Sequence, residues 1–172
     1  MFDRLRHRLR DVGTLKTLCE TAEAHARRAG QEQPGAEHFV LAALDLQDGT
    51  ARAAFARLDA DANAFATAIE RQHRDALAGV GIAPQAWPEP PADAAGAPAT
   101  GLYRAQPSGQ ALMQALAKRR ERAGEIPLIG AHVLAAATEA AQGITARALQ
   151  AMGVDAAALR AAAASEIAAW RP

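Results

Sequence analysis

The stretch Gly35–Asp45, GAEHFVLAALD, sets a glutamate and a histidine at the mouth of an apolar run. An acid beside an imidazole is raw material for proton transfer. A carboxylate in the first turn of a helix is also the ordinary partner of the helix dipole. A second stretch, Ile129–Glu139 or IGAHVLAAATE, bears on both readings. His132 stands 94 residues after His38, but Ala131 replaces Glu37. A catalytic pair needs both members, whereas a packing or capping histidine can recur alone. Neighbouring residues on a helix also point about 100° apart and do not face each other. His38 therefore reads as structural. Glu37 is left with two readings, a helix-start carboxylate or an exposed binding contact.

The 94-residue register holds along the chain without a gap. Arg28-Ala29-Gly30 falls on Arg122-Ala123-Gly124, Ala42-Ala43 on Ala136-Ala137 and Gly49 on Gly143. Phe55 falls on Leu149, Leu58 on Met152, Asp61 on Asp155 and Phe65 on Leu159. Glycines and apolar positions kept in register together indicate an internal duplication.

Each copy reads as four helices. Thr14 and Ser108 share a position and suit N-caps. Leu15, Leu18, Cys19, Ala22 and Ala26 make a one-face stripe after Thr14, answered by Leu112, Met113 and Leu116. Gly30 and Gly124 are expected to stop the first helix. The second helix is expected over residues 36–46 and 130–140, and the third over 51–58 and 145–152. Asp61 and Asp155 would cap the fourth, which runs to about residues 78 and 169. The expectation is an all-α protein of eight helices in two similar bundles.

Composition agrees. Of 172 residues, half are apolar and only 4% aromatic, and alanine, the best helix former, dominates. The 19 basic and 19 acidic residues cancel, so no overall field draws nucleic acid or membrane. The single cysteine excludes an intrachain disulfide and a Cys-rich zinc site. No apolar run reaches the roughly 18 residues of a membrane span, and the charged start MFDRLRHRLRD is unlike a signal peptide. A soluble, cytoplasmic protein is expected.

Four regions follow: residues 1–13, a basic amphipathic extension; 14–78, the first repeat; 79–107, a linker; and 108–172, the second repeat, with the repeats together expected to make one double-repeat domain. The linker carries six prolines, which remove backbone donors, and Trp87, Leu102 and Tyr103 could pin parts of it to a bundle. The extension holds Arg4, Arg6, His7, Arg8 and Arg10, with Phe2, Leu5 and Leu9 on one helical face. Packing of those apolar residues on the protein itself is the favoured reading, contact with a membrane surface or acidic partner the other. Gly13 is expected to separate the extension from the repeat.

Motifs of catalysis are missing. His7, His25, His38, His73 and His132 do not take metal-ligand spacings. Cys19 lies on an apolar stripe with Met113 as its repeat mate, which suits a soft core filler better than a nucleophile. PSGQ around Ser108 is not a nucleophile elbow, and there is no phosphate-binding P-loop. No catalytic residue, metal or cofactor is expected.

AEHFVLAALD, followed by a glycine, the TARAAFARLDAD helix and a further amphipathic helix, resembles the repeat of Clp ATPase N-terminal domains. The second copy supplies that repeat's L-G-V-D-like ending as ALQAMGVDAAALRAA, Ala148–Ala162. IGAHVLAAAT is similar to the second repeat of ClpA-type domains, which also lacks the glutamate. The resemblance implies two pseudo-symmetric four-helix repeats and a binding role rather than catalysis. It implies a module that receives substrate proteins or adaptors in protein quality control or regulated proteolysis, here free-standing without ATPase modules. In some relatives the glutamate of the E-H motif binds phosphorylated arginine, once per repeat, and Glu37 matches that position whereas Ala131 does not. The partner-binding residues implied are Glu37, His38 and Phe39. The partner is a protein or unfolded peptide, with a Clp adaptor or Clp ATPase the candidates and no nucleic acid. The alternatives are a peptidase-like hydrolase and a regulatory protein using the Arg-rich N-terminus.

Overall fold

Alanine-rich segments punctuated by glycine dictate short helices that can approach closely, and the computed structural model is built from them. It describes residues 2–79, 104–123 and 126–171. Those residues form eight helices and no strand. They are α1 (Phe2–Arg28), α2 (Ala36–Leu44), α3 (Thr50–Ala56), α4 (Ala64–Gly79), α5 (Pro107–Ala123), α6 (Gly130–Ala137), α7 (Ile144–Ala151) and α8 (Ala156–Ala169). The starts of α2 and α6, and of α3 and α7, lie 94 residues apart, so the duplication in the sequence is a duplication of elements.

The copies do not form two separate bundles. α3 packs extensively on α8, α4 on α7, and α2 on both α6 and α5. The second half of each copy thus lies against the other copy. The reason is in α2 and α6, whose residues are buried almost without exception. A helix that is apolar all round must be enclosed on every side, and one copy has too few helices to enclose its own. Phe39, Phe55, Phe65, Leu134, Leu149 and Leu159 fill one continuous core. Phe55 and Phe65 sit with ring centroids 6.2 Å apart, and their repeat mates Leu149 and Leu159 do the same work with less volume. Cys19 and Met113 are both partly buried and packed on this core.

Three helix ends carry the same device. Gly30 (φ 70°), Asp59 (φ 51°) and Gly153 (φ 71°) are left-handed. Across each of them the next N–H reaches back to the last turn: Gln31 to Ala26, Ala60 to Phe55 and Val154 to Leu149, which closes the exposed carbonyls. Gly124 lies outside the described residues, as do Trp87, Leu102 and Tyr103.

Two expected caps are placed differently. α1 runs through Gly13 without a break, and Thr14 lies inside it with Oγ1 donating to the Arg10 carbonyl. Glycine weakens a helix by only about 1 kcal/mol, too little to end one. The repeat mate of Gly13 is Pro107, which cannot sit inside a helix but suits its first turn, and α5 begins there. Ser108 is therefore already helical and serves another helix, as shown below. Asp155 does cap α8, its carboxylate accepting the Ala158 N–H at 2.7 Å. Asp61 instead holds the turn before α4, accepting the Asn63 N–H. The side chains of residues 2–9 are outside the description, but the extension is anchored at its end: buried Asp11 accepts the Leu128 N–H at 2.7 Å, at the entrance to α6.

Candidate functional site: the two helix entrances

The entrances of α2 and α6 are pseudo-equivalent, and each leaves N–H groups that need acceptors. At both, a histidine at the third helical position turns back. His38 Nδ1 accepts the Gly35 N–H at 3.0 Å, and His132 Nδ1 accepts the Ile129 N–H at 3.3 Å. This is the return half of a capping box, with histidine in the place usually held by glutamate or glutamine; Gly35 and Ile129 offer no side-chain acceptor for the other half. It requires a bare Nδ1, so the His38 proton lies on Nε2, which has no hydrogen-bond partner among the described residues. Burial is the first cause holding the His38 pKa down to about 4, and the charges of His73 and His25 add to it.

The remaining N–H groups are satisfied differently at the two entrances. At α6, the first copy reaches across. The Asp48 carboxylate accepts from Gly130 at 3.0 Å, and Thr50 Oγ1 accepts from Ala131 at 2.9 Å. Asp48 also accepts the N–H of Thr50 at 2.9 Å, capping α3 with the same group. Gly130 allows the close approach, because a Cβ there would lie 2.9 Å from the Ala43 carbonyl oxygen. The second copy has Gln142 and Ile144 where the first has Asp48 and Thr50, and no such clamp can form at α2. There the Ala36 N–H donates to Ser108 Oγ at 3.2 Å. Glu37 supplies the negative charge itself, with its side chain bonded to its own backbone N–H. Its carboxylate occupies the space a Cβ on Gly35 would need, 2.6 Å from Oε1.

Glu37 is present and Ala131 absent of charge for this reason: only one entrance receives a carboxylate from the other copy. Helix starts favour an anion, and Glu37 provides it where Asp48 has no counterpart.

Glu37, His38 and Phe39 do come together, but they are enclosed, at 2%, 1% and 0% exposure. Burial pushes the Glu37 pKa up, opposed by its backbone hydrogen bond. Glu37 Oε1 has no hydrogen-bond donor among the described residues, and His38 Nδ1 lies 3.5 Å from it. With that Nδ1 committed to Gly35, the pair cannot run proton transfer on a substrate. Ser108 and Gly109 lie on the same turn: a Cβ on Gly109 would stand 2.7 Å from the Pro34 carbonyl oxygen and 3.1 Å from the Phe39 ring. Gln106 fastens this segment, its N–H to Pro34 and its side chain to Gln31 and the Gln33 carbonyl.

Residues 14–93 match the family model of the Clp repeat (R) N-terminal domain. The match spans the first copy, which carries a Clp repeat. The second copy repeats the four-helix order, with α6 and α7 starting 94 residues after α2 and α3. No curated protein matches the chain. Among the described residues, no helix is long and apolar enough to cross a membrane, and no cluster of histidine, cysteine and carboxylate groups could hold a metal ion.

Sequence reasoning singles out Glu37 and His38, reads Ser108 as a cap for its own helix rather than for α2, and misses Asp48 and Thr50. The Asp48-Gly49-Thr50 turn was visible as a helix start. Its service to a helix more than eighty positions away left no local signal.

Proposed function

We propose that this Clp repeat domain is a protein-binding module that receives unfolded substrate proteins or adaptors for a Clp-type unfoldase, in protein quality control or regulated proteolysis. Glu37 is the contact residue, with His38 fixing the turn and Phe39 forming its apolar wall. The observation that carries the reading is the buried Glu37 carboxylate, whose Oε1 lacks a donor among the described residues. A desolvated carboxylate with an open acceptor gains more from a cationic donor than an exposed one does. A partner's arginine or lysine side chain supplies that donor when the Gln106–Gly109 segment moves off the α2 entrance. The domain acts in the cytoplasm through protein contacts and performs no chemistry of its own.

The test is a titration of the full chain with a permanently unfolded, alkylated model protein. Binding that weakens at least several-fold in Glu37→Gln supports the reading, since this change keeps the side-chain shape and removes the charge. Undetectable binding, or equal binding by the variant, would count against it.

A further inference from the structure

A groove of about 790 Å³ lies away from the α2 entrance, between the α3–α4 turn, α4 and the end of α7. Its floor is small and apolar, from Ala60, Ala64, Ala68 and Met152. Its charges are sorted. Asp59 and Asp61 line the end at the α3–α4 turn, and Arg71 and Arg74 line the other, two to three turns along α4. Asp59, Arg71 and Arg74 form no ion pair among the described residues. The groove is therefore a trough of alanines, Met152, Asn63 and Thr67 with an acidic end and a basic end that are not ion-paired among the described residues.

The duplication supplies an internal control. The equivalent surface in the second repeat has Gly153, Ser165 and Ala168 where the first has Asp59, Arg71 and Arg74. An ion pair bridges it, Arg57 just past the end of α3 to Glu166 of α8. On the open side those two bridging positions are Ala151 and Gln72, which cannot pair. One pseudo-equivalent face is bridged and keeps only Asp155 at these four charged positions, while the other is open and carries both signs at its two ends. Packing alone accounts for neither difference, since both helix pairs, α4 with α7 and α3 with α8, pack extensively.

We infer that this groove binds a short extended peptide that is bipolar, with basic side chains for Asp59 and Asp61 and acidic side chains or a C-terminal carboxylate for Arg71 and Arg74. From the start of α4 at Ala64 to Arg74 the helix rise gives about 15 Å, the span of about five extended residues. The alanine floor admits a backbone lying close to α4, and Met152 adapts to the side chains between the charged ends. This site is separate from Glu37 and does not depend on it.

The experiment uses the full chain and a fluorescein-labelled octapeptide with two lysines at one end, two glutamates at the other and glycine and alanine between. A serine-substituted neutral peptide and an all-glutamate peptide serve as competitors. The expected result is binding of the bipolar peptide well above both competitors, weakened by added salt. Arg71→Glu with Arg74→Glu reduces it about tenfold without changing the thermal melt, because both side chains are exposed. Gln72→Glu with Ala151→Arg recreates the bridge of the other face and blocks the peptide. Glu37→Gln leaves peptide binding intact, which separates this site from the proposed unfolded-protein contact. Absence of binding, equal binding of either competitor, or indifference to both groove variants would overturn the inference.

Discussion

At the scale of single residues, the E-H motif divides into a cap and a charge. His38 works only while Nδ1 is bare. Its folded pKa of about 4 lies below the ordinary histidine value of 6.5. Above pH 6.5 both folded and unfolded forms are neutral, so no penalty exists. As pH falls from 6.5 toward 4 the unfolded chain takes up a proton that the folded chain refuses, and stability drops by on the order of 3 kcal/mol. His38→Gln, which restores a usual capping-box residue, is expected to flatten the decline in a urea-melt series between those pH values. Glu37 has the opposite sign. Its pKa is raised, so its penalty is full above the folded value and is relieved as pH falls. Glu37→Gln is expected to raise the melting temperature at pH 7, the gain shrinking on acidification. Asp48→Ala should cost about 2 kcal/mol, since it strands N–H groups on both α3 and α6. The recurring histidine made its structural role legible in the sequence. The burial of Glu37 was not legible, because a first-turn carboxylate looks alike in solvent or under another helix.

At the scale of elements, the 3.6-residue pattern and the glycines located all eight helices, most ends to within one to three residues. The exception is the start of α1, where Gly13 was read as a break. Glycine's weak cost against proline's strong one explains why α1 continues while α5 starts at Pro107. No atom lies within 4 Å of a Cβ placed on Gly13, so Gly13→Ala is expected to stabilise by about 1 kcal/mol. A thermal melt would show it. Asp59 is the non-glycine member of the three left-handed helix ends, and Asp59→Gly should add about 0.5–1 kcal/mol by the same comparison.

At the scale of the whole molecule, two repeats suggested two bundles, and the interleaved packing was invisible in the sequence. Periodicity reveals that a face is apolar but not which copy covers it. That α2 and α6 are apolar all round was a clue, since each needs more cover than the three other helices of its own copy give. The interleaving has a consequence for folding: chains of residues 1–79 and 104–172 should each lack a cooperative melt alone and recover helical structure on mixing. It also places the α2 entrance, with its Glu37, beneath the start of α5 from the other copy. A partner that reaches Glu37 must therefore disturb both copies at once. The direct test is a set of amide spectra of the isotope-labelled full chain, recorded as the alkylated unfolded protein is added. The account predicts shifts concentrated at residues 35–39 and 106–109, and their loss in Glu37→Gln. Binding that leaves both segments unmoved, or shifts that persist unchanged in the variant, would contradict it.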